Sequence, residues 1–220
     1  MSQPLSSSVG DYLKAVWGLA GPGVAAPKDL SSRLSVSSAS VTEMLRRLQE
    51  LGLVEYERYR GASLTEEGRA EALRLVRRHR LIETFLLEHL GYPWEDVHEE
   101  AERLEHAVSD NFTERLAKLL GYPERDPHGA PIPGADGALA REDSRPLSEA
   151  AVGDRVRISR VDREDAPALT YLEDRGLVPG RLLTVGEVRP LDGVVTVEAE
   201  DGTSHTLGER LAGSILVRNL

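Results

Sequence analysis

Cysteine is absent from all 220 residues. That removes disulfides, thiol nucleophiles, zinc ribbons and iron–sulfur clusters, and leaves His, Asp, Glu, Met and carbonyl oxygen as the available metal donors. No apolar run approaches the roughly 20 residues that a bilayer helix needs. The opening MSQPLSSSVG has neither the basic nor the apolar part of a secretory signal, so a cytoplasmic protein without a membrane partner is expected. Internal repeats and low-complexity tracts are also missing. So are a Ser-centred nucleophile elbow, a P-loop and a dinucleotide fingerprint, the usual marks of hydrolase, nucleotide and redox chemistry. One Glu-x-x-His occurs, Glu95 to His98, where a bundle oxidase needs two with further Glu from two more helices. Catalysis is therefore not expected.

What is present suits a soluble globular chain: 40 % hydrophobic and 29 % charged residues, long enough for two or three compact domains. The net charge of −10 argues against a nucleic-acid partner only until it is divided along the chain. Residues 1–70 carry 8 basic and 8 acidic groups, residues 71–140 carry 8 and 14, and residues 141–220 carry 11 and 15. The amino-terminal third is neutral, and the acidic middle is a place where bound cations would relieve repulsion.

Apolar positions Val9, Tyr12, Leu13, Val16 and Leu19 share one face of a helix from Ser8 to about Ala20, stopped at Gly21. A short helix follows from Pro27 through Leu30 and Leu34, then a polar turn, then a helix with Val41, Leu45, Leu48 and Leu51 on one face and Gly52 as its stop. LVEYERYRGASLT reads as two strands around Arg60 and Gly61, with Leu53, Val54, Tyr56 and Leu64 inward. Helix, turn, helix and hairpin in that order are a winged helix-turn-helix. A long helix is expected over 66–90, and a single further one from about Glu95 to Leu120. Residues 121–148 are rich in Pro and Gly and read as a linker. Five short β-branched runs with a helical turn at ALTYLEDRG then suggest a small five-stranded barrel. The expected fold class is mainly α with a small β domain. Its parts are a winged helix-turn-helix over 1–70, a helical dimerisation and metal-binding domain with its linker over 71–140, and an SH3-like barrel over 148–220. The barrel holds only Tyr171 among large aromatics, too few for a groove that binds proline-rich peptides.

In a helix-turn-helix the second helix presents small polar side chains near its amino terminus to base edges, while flanking cations hold phosphates. Those positions are Ser37, Ser38, Ala39, Ser40, Thr42 and Glu43. Arg46, Arg47, Arg58 and Arg60 are the phosphate candidates. Serines that merely cap a helix and arginines that form a solvated face would look similar. The hairpin carrying Arg58 and Arg60 favours recognition of double-stranded DNA.

Metal ligands on helices need spacings of three or four. His79 and Glu83 have that spacing on one helix. On the next, Glu102 faces both Glu105 and His106, and His98 lies a turn earlier. Spacing alone leaves a metal site and a solvated amphipathic face equally open.

The sequence resembles the diphtheria-toxin-repressor and manganese-transport-regulator (DtxR/MntR) family over essentially its whole length. SSASVTEMLRRLQELGLVEYERYRGASLTEEG is similar to the family's recognition helix and wing. RRHRLIETFL and VHEEAERLEHAVSD are similar to its paired ligand segments, HGAPIPG to its Pro-Ile-Pro link, and the last seventy residues to its SH3-like (FeoA-like) domain. The resemblance implies a homodimeric, metal-activated repressor of metal-uptake genes on a palindromic operator. It implies one site from Asp11, Glu102, Glu105 and His106 and a second from His79, Glu83 and His98. Iron-responsive members place sulfur ligands where this chain has Asp11 and Glu102, so hard carboxylates favour Mn(II), with Fe(II) the alternative. Members with a paired-ion site have Glu where this chain has Lys14, and an ammonium cannot bridge cations, so two separated sites are expected. Glu164 or Asp165 is the expected ligand from the carboxy-terminal domain. An ion joining Asp11 to the middle domain would fix the recognition helices for DNA. Leu104, Val108 and Phe112, with Leu86 and Trp94, are the expected two-fold interface.

Overall fold

The computed structural model describes residues 6–21, 23–162, 165–189 and 193–220. They form two compact units, one holding the chain up to His79 with Pro133–Ala138, the other Arg80–Ile132 with Leu139–Leu220.

The first unit opens with α1 (Ser7–Ala20), α2 (Pro27–Leu34) and α3 (Ser38–Glu50). Pro27 occupies the first position of α2, where its missing N–H costs nothing, and Ser35 closes that helix in the left-handed region at φ 53°. Ser37 caps α3 by accepting from the Ser40 backbone N–H at 3.1 Å. Strands β1 (Val54–Glu57) and β2 (Gly61–Leu64) pair antiparallel from Val54 opposite Leu64 to Glu57 opposite Gly61, and α4 (Glu66–Leu90) follows. Val9, Leu13, Val16, Leu30, Val41, Leu45, Leu48 and Val54 make the core, as their spacing predicts. Leu51, expected on that face, is instead 50 % exposed, because it is the C-cap residue, where the chain leaves the helix before Gly52 turns it at φ 73°. Two glycines set the wing's position. A Cβ on Gly61 would stand 2.3 Å from the Ala25 carbonyl oxygen, and one on Gly68 would stand 1.8 Å from that of Leu53.

In the second unit the remainder of α4 packs with α5 (Val97–Leu104) and α6 (Asp110–Leu119) through Leu81, Ile82, Leu86, Val97, Ala101, Leu116 and Ala117. The single helix expected from Glu95 to Leu120 is thus two. Ser109 breaks it by capping α6, accepting from the Phe112 N–H at 3.2 Å with Asp110 in the first turn. Residues 121–144 lack regular elements but are not a loose linker, since Asp126, His128, Ala130 and Ile132 are buried. Buried polar backbone must be paired, and here it is: Ile132 N–H donates to Glu124, Asp126 N–H to Ala130, and Val161 N–H to His128.

The carboxy-terminal part contains all five expected strands, β4 (Arg155–Val161), β5 (Leu182–Arg189), β6 (Val194–Ala199), β7 (Ser204–Gly208) and β8 (Ile215–Asn219), with the expected helix α7 (Ala166–Glu173). A two-residue β3 (Arg145–Pro146) makes the sheet six-stranded in the order β3-β8-β4-β5-β6-β7, and α8 (Glu209–Ser214) is an addition. Its core joins Val156, Ile158, Leu169, Leu172, Val185, Val197, Leu207 and Val217 to Trp94 from the helical segment. Trp94 is 3 % exposed and Leu86 2 %, so neither is available for the two-fold interface expected of them. Leu90, Leu104, Phe112 and Leu119 remain exposed. No helix among the described residues is long and apolar enough to cross a membrane.

Candidate metal centre and DNA-binding face

The break between α5 and α6 shapes the first group of ligand-type side chains. Glu102 is on the last turn of α5, Glu105 is its C-cap residue, and His106 follows in the turn before Ser109. One donor atom from each of these three lies within 4.8 Å of the others. The Glu105 side chain is fully buried, while that of His106 is 25 % exposed with its Nε2 3.5 Å from Glu105 Oε1. A carboxylate wholly removed from water is costly unless positive charge compensates it, and two carboxylates with an imidazole are a hard donor set suited to a divalent first-row ion. Asp11 is half-buried on α1, in the other compact unit, with Lys14 one turn later.

His79 and Glu83 are both buried on α4, one turn apart on an unbroken helix. Glu83 Oε1 stands 3.0 Å from His98 Nδ1 on α5. The structure adds a group that residue spacing did not identify: Glu83, Asp126 and His128, all buried, offer donor atoms within 4.8 Å of one another. His128 Nε2 lies 3.2 Å from the Trp94 carbonyl oxygen. Since a carbonyl only accepts, that nitrogen carries the proton in this contact. The ring also stacks on Trp94 at 5.0 Å between centroids. Asp126 accepts from the N–H groups of His128 and Ala130 at 2.9 Å each, and its Oδ2 is 3.3 Å from Arg80 Nε. Burial, with the Glu83 charge beside it, nevertheless pushes the Asp126 carboxyl up to about 7 against Arg80 and those N–H groups. The same burial lowers Arg80, opposed by Asp126 and Glu83. The sequence signal for the pair was slight, an Asp and a His two apart within a stretch whose prolines and glycines suggested a linker.

Asp165 is the exposed N-cap residue of α7 and, among the described residues, joins no ligand cluster; Glu164 lies outside them.

The face expected to read DNA is exposed at Ser37, Ser38, Ala39, Ser40, Glu43, Arg46, Arg47, Arg58 and Arg60, with Thr42 half-buried. Part of its hydrogen-bonding capacity serves the helix itself: Ser37 caps it, the Ser37 and Ser40 hydroxyls stand 2.9 Å apart, and Thr42 donates to the Ser38 carbonyl at 2.9 Å. Arg60 Nη1 contacts Glu57 Oε2 at 3.0 Å, a pair exposed enough to exchange for a phosphate at little cost.

Three family models tile the chain. The N-terminal DNA-binding domain of iron-dependent repressors matches residues 4–62, their metal-binding and dimerisation domain matches 65–134, and the FeoA domain matches 145–219. The iron-dependent repressor IdeR of Mycobacterium tuberculosis is 34 % identical over 223 residues, covering 95 % of this chain and 96 % of that protein. The diphtheria toxin repressor of Corynebacterium diphtheriae is 30 % identical over 220 residues, with 95 % and 96 % covered. A manganese-dependent transcriptional repressor solved with manganese superposes with a TM-score of 0.91 at 40 % identity, covering 96 % of this chain and all of that one. The structure of ScaR with bound Zn2+ gives 0.83 at 36 %, covering 96 % and 99 %. A winged helix, a helical unit dense in carboxylate and imidazole donors, and an SH3-like sheet thus coincide with three matched domains, and the chain belongs to the DtxR/MntR family of metal-dependent transcriptional repressors.

Proposed function

We propose that this repressor is switched by Mn(II), held by Asp11 together with Glu102, Glu105 and His106. The observation that carries the proposal is the buried Glu105 carboxylate, close to Glu102 and His106, in a donor set with no sulfur. Oxygen and imidazole ligands suit Mn(II), and the charge of the ion would offset the cost of keeping Glu105 out of water. Asp11 belongs to the DNA-binding domain and the other three to the helical one, so an ion shared among them restricts the angle between the domains. That lowers the entropy lost when two recognition helices engage a palindromic operator together. Residues 1–70 read DNA and 71–140 hold metal and the two-fold interface, which the exposed Leu104, Phe112 and Leu119 supply. Residues 148–220 brace that centre.

A second ion is held by His79, Glu83 and His98, or by Glu83, Asp126 and His128. Glu83 is common to both sets, and the residue pushing Asp126 toward its protonated form is that same Glu83, so one ion at a time fits there. The targets are metal-uptake genes, the repressor acts in the cytoplasm, and it has no catalytic role. Fe(II) is the second reading, favoured by the iron-dependent relatives.

Fluorescence anisotropy against genomic duplexes from upstream of candidate transporter genes, titrated with Mn(II), Fe(II), Zn(II) and chelator, tests the switch. Retention should appear with Mn(II), vanish with chelator, and be lost in Glu105→Ala and His106→Ala proteins that still fold. Retention indifferent to metal overturns the sensor; retention with Fe(II) alone replaces Mn(II) by iron.

A further inference from the structure

Tyr59 stands at the tip of the wing, 86 % exposed, between Arg58 and Arg60. It is the third residue of the turn that the Arg60 N–H closes onto the Glu57 carbonyl at 3.0 Å, and its φ is +70°. Glycine fills that position without strain and asparagine at little cost, whereas the Cβ of a tyrosine is crowded by the backbone there. The ring makes no contribution to the hydrophobic core of its unit. Its neighbour is instead the Arg58 guanidinium, 4.8 Å from the ring centroid, a cation–π contact that favours its place beside the phenol. A solvent-facing phenol beside a guanidinium at a wing tip is a pair suited to the surface of a polyanion. The wing lies within the matched DNA-binding domain, residues 4–62.

We propose that Tyr59 is a DNA-contacting residue, its phenol hydroxyl donating to a phosphate oxygen, with the ring positioning Arg58 for a neighbouring phosphate. The contact fixes the wing on the backbone and is blind to sequence, complementing the bases read from α3. This inference rests on the DNA-binding reading, and the test separates the two. Short duplexes recovered from genomic DNA by retention on the full chain loaded with Mn(II) or Fe(II) serve as the probe. Tyr59→Phe removes only the hydroxyl and should weaken binding by about tenfold or more, equally across duplexes of different sequence, without changing the salt dependence. Arg58→Ala should lower the slope of log affinity against log salt by about one per protomer. Tyr59→Gly should weaken binding at least as much as Tyr59→Phe while keeping or raising the thermal midpoint, because glycine relieves the backbone. Wild-type affinity in Tyr59→Phe, a loss confined to certain sequences, or a lower thermal midpoint in Tyr59→Gly overturns the proposal. A wild-type chain that retains no duplex with either ion overturns the DNA-binding reading and this inference with it.

Discussion

Asp126 and Glu105 are carboxyl groups withdrawn from water, and each meets that cost differently. Glu105 has the imidazole of His106 beside it, whereas Asp126 has Arg80 at 3.3 Å but also the charge of Glu83. With burial added, the Asp126 carboxyl is pushed up from the ordinary carboxylate range to about 7. Between those values the folded chain holds a proton that the unfolded chain has released. The resulting stability is therefore complete in acid and is lost as pH rises through about 7. In metal-free protein the thermal midpoint should fall between about pH 4 and pH 7, the window between the two states' pKa values, more steeply for the wild type than for Asp126→Asn, which has no proton to lose there. Scanning calorimetry across that range checks it; parallel slopes would contradict the assignment. An ion at this cluster favours the deprotonated form, so saturating Mn(II) should flatten or reverse the wild-type slope.

The break between α5 and α6 is the element on which the first ligand group depends. It lets Glu105 turn inward at the end of one helix and His106 follow outside it. Ser109 defines the restart, and Ser109→Ala should cost about 1 kcal/mol of stability by leaving an amino-terminal N–H of α6 without its partner. Chemical denaturation measures that directly, and the same variant should weaken Mn(II) binding because the turn bearing His106 loses its anchor. A variant with unchanged stability and affinity would show that the turn is held from elsewhere. This break was also the main element hidden in the sequence. Val97, Ala101, Leu104, Val108, Phe112, Leu116 and Leu119 keep a helical period across it, and periodicity outweighed a lone Ser-Asp cap. The winged helix was legible because every signal agreed there: Pro27 at a start, Ser37 at a cap, Gly52 at a stop and alternating apolar residues in the hairpin. His79, Glu83, Glu102, Glu105 and His106 were legible as candidates because helical spacing places ligands predictably. Asp126 and His128 were not, since they gather by tertiary packing of a segment without secondary structure. No local period marks a segment of that kind.

Trp94 connects the helical segment to the sheet within the second unit. Its ring enters the sheet's core, its Nε1–H donates to the Pro127 carbonyl at 3.0 Å, and its own carbonyl receives the His128 Nε2–H. Removing the ring should destabilise the chain by about 3–5 kcal/mol, visible by urea denaturation. Because His128 loses its stacking partner, metal affinity at the cluster with Glu83 and Asp126 should fall more than at the group around Glu105. Equal losses at both would mean that the sheet braces the whole helical segment rather than one site. The proposed switch, however, is the other ligand group and its engagement of the DNA-binding domain. Anomalous diffraction at the manganese edge, from crystals of the full chain grown with Mn(II), addresses that most directly. The account predicts a peak bonded to the Asp11 carboxylate and also to Glu102, Glu105 and His106. A peak at the other three with Asp11 turned away, or no peak there at all, would contradict it.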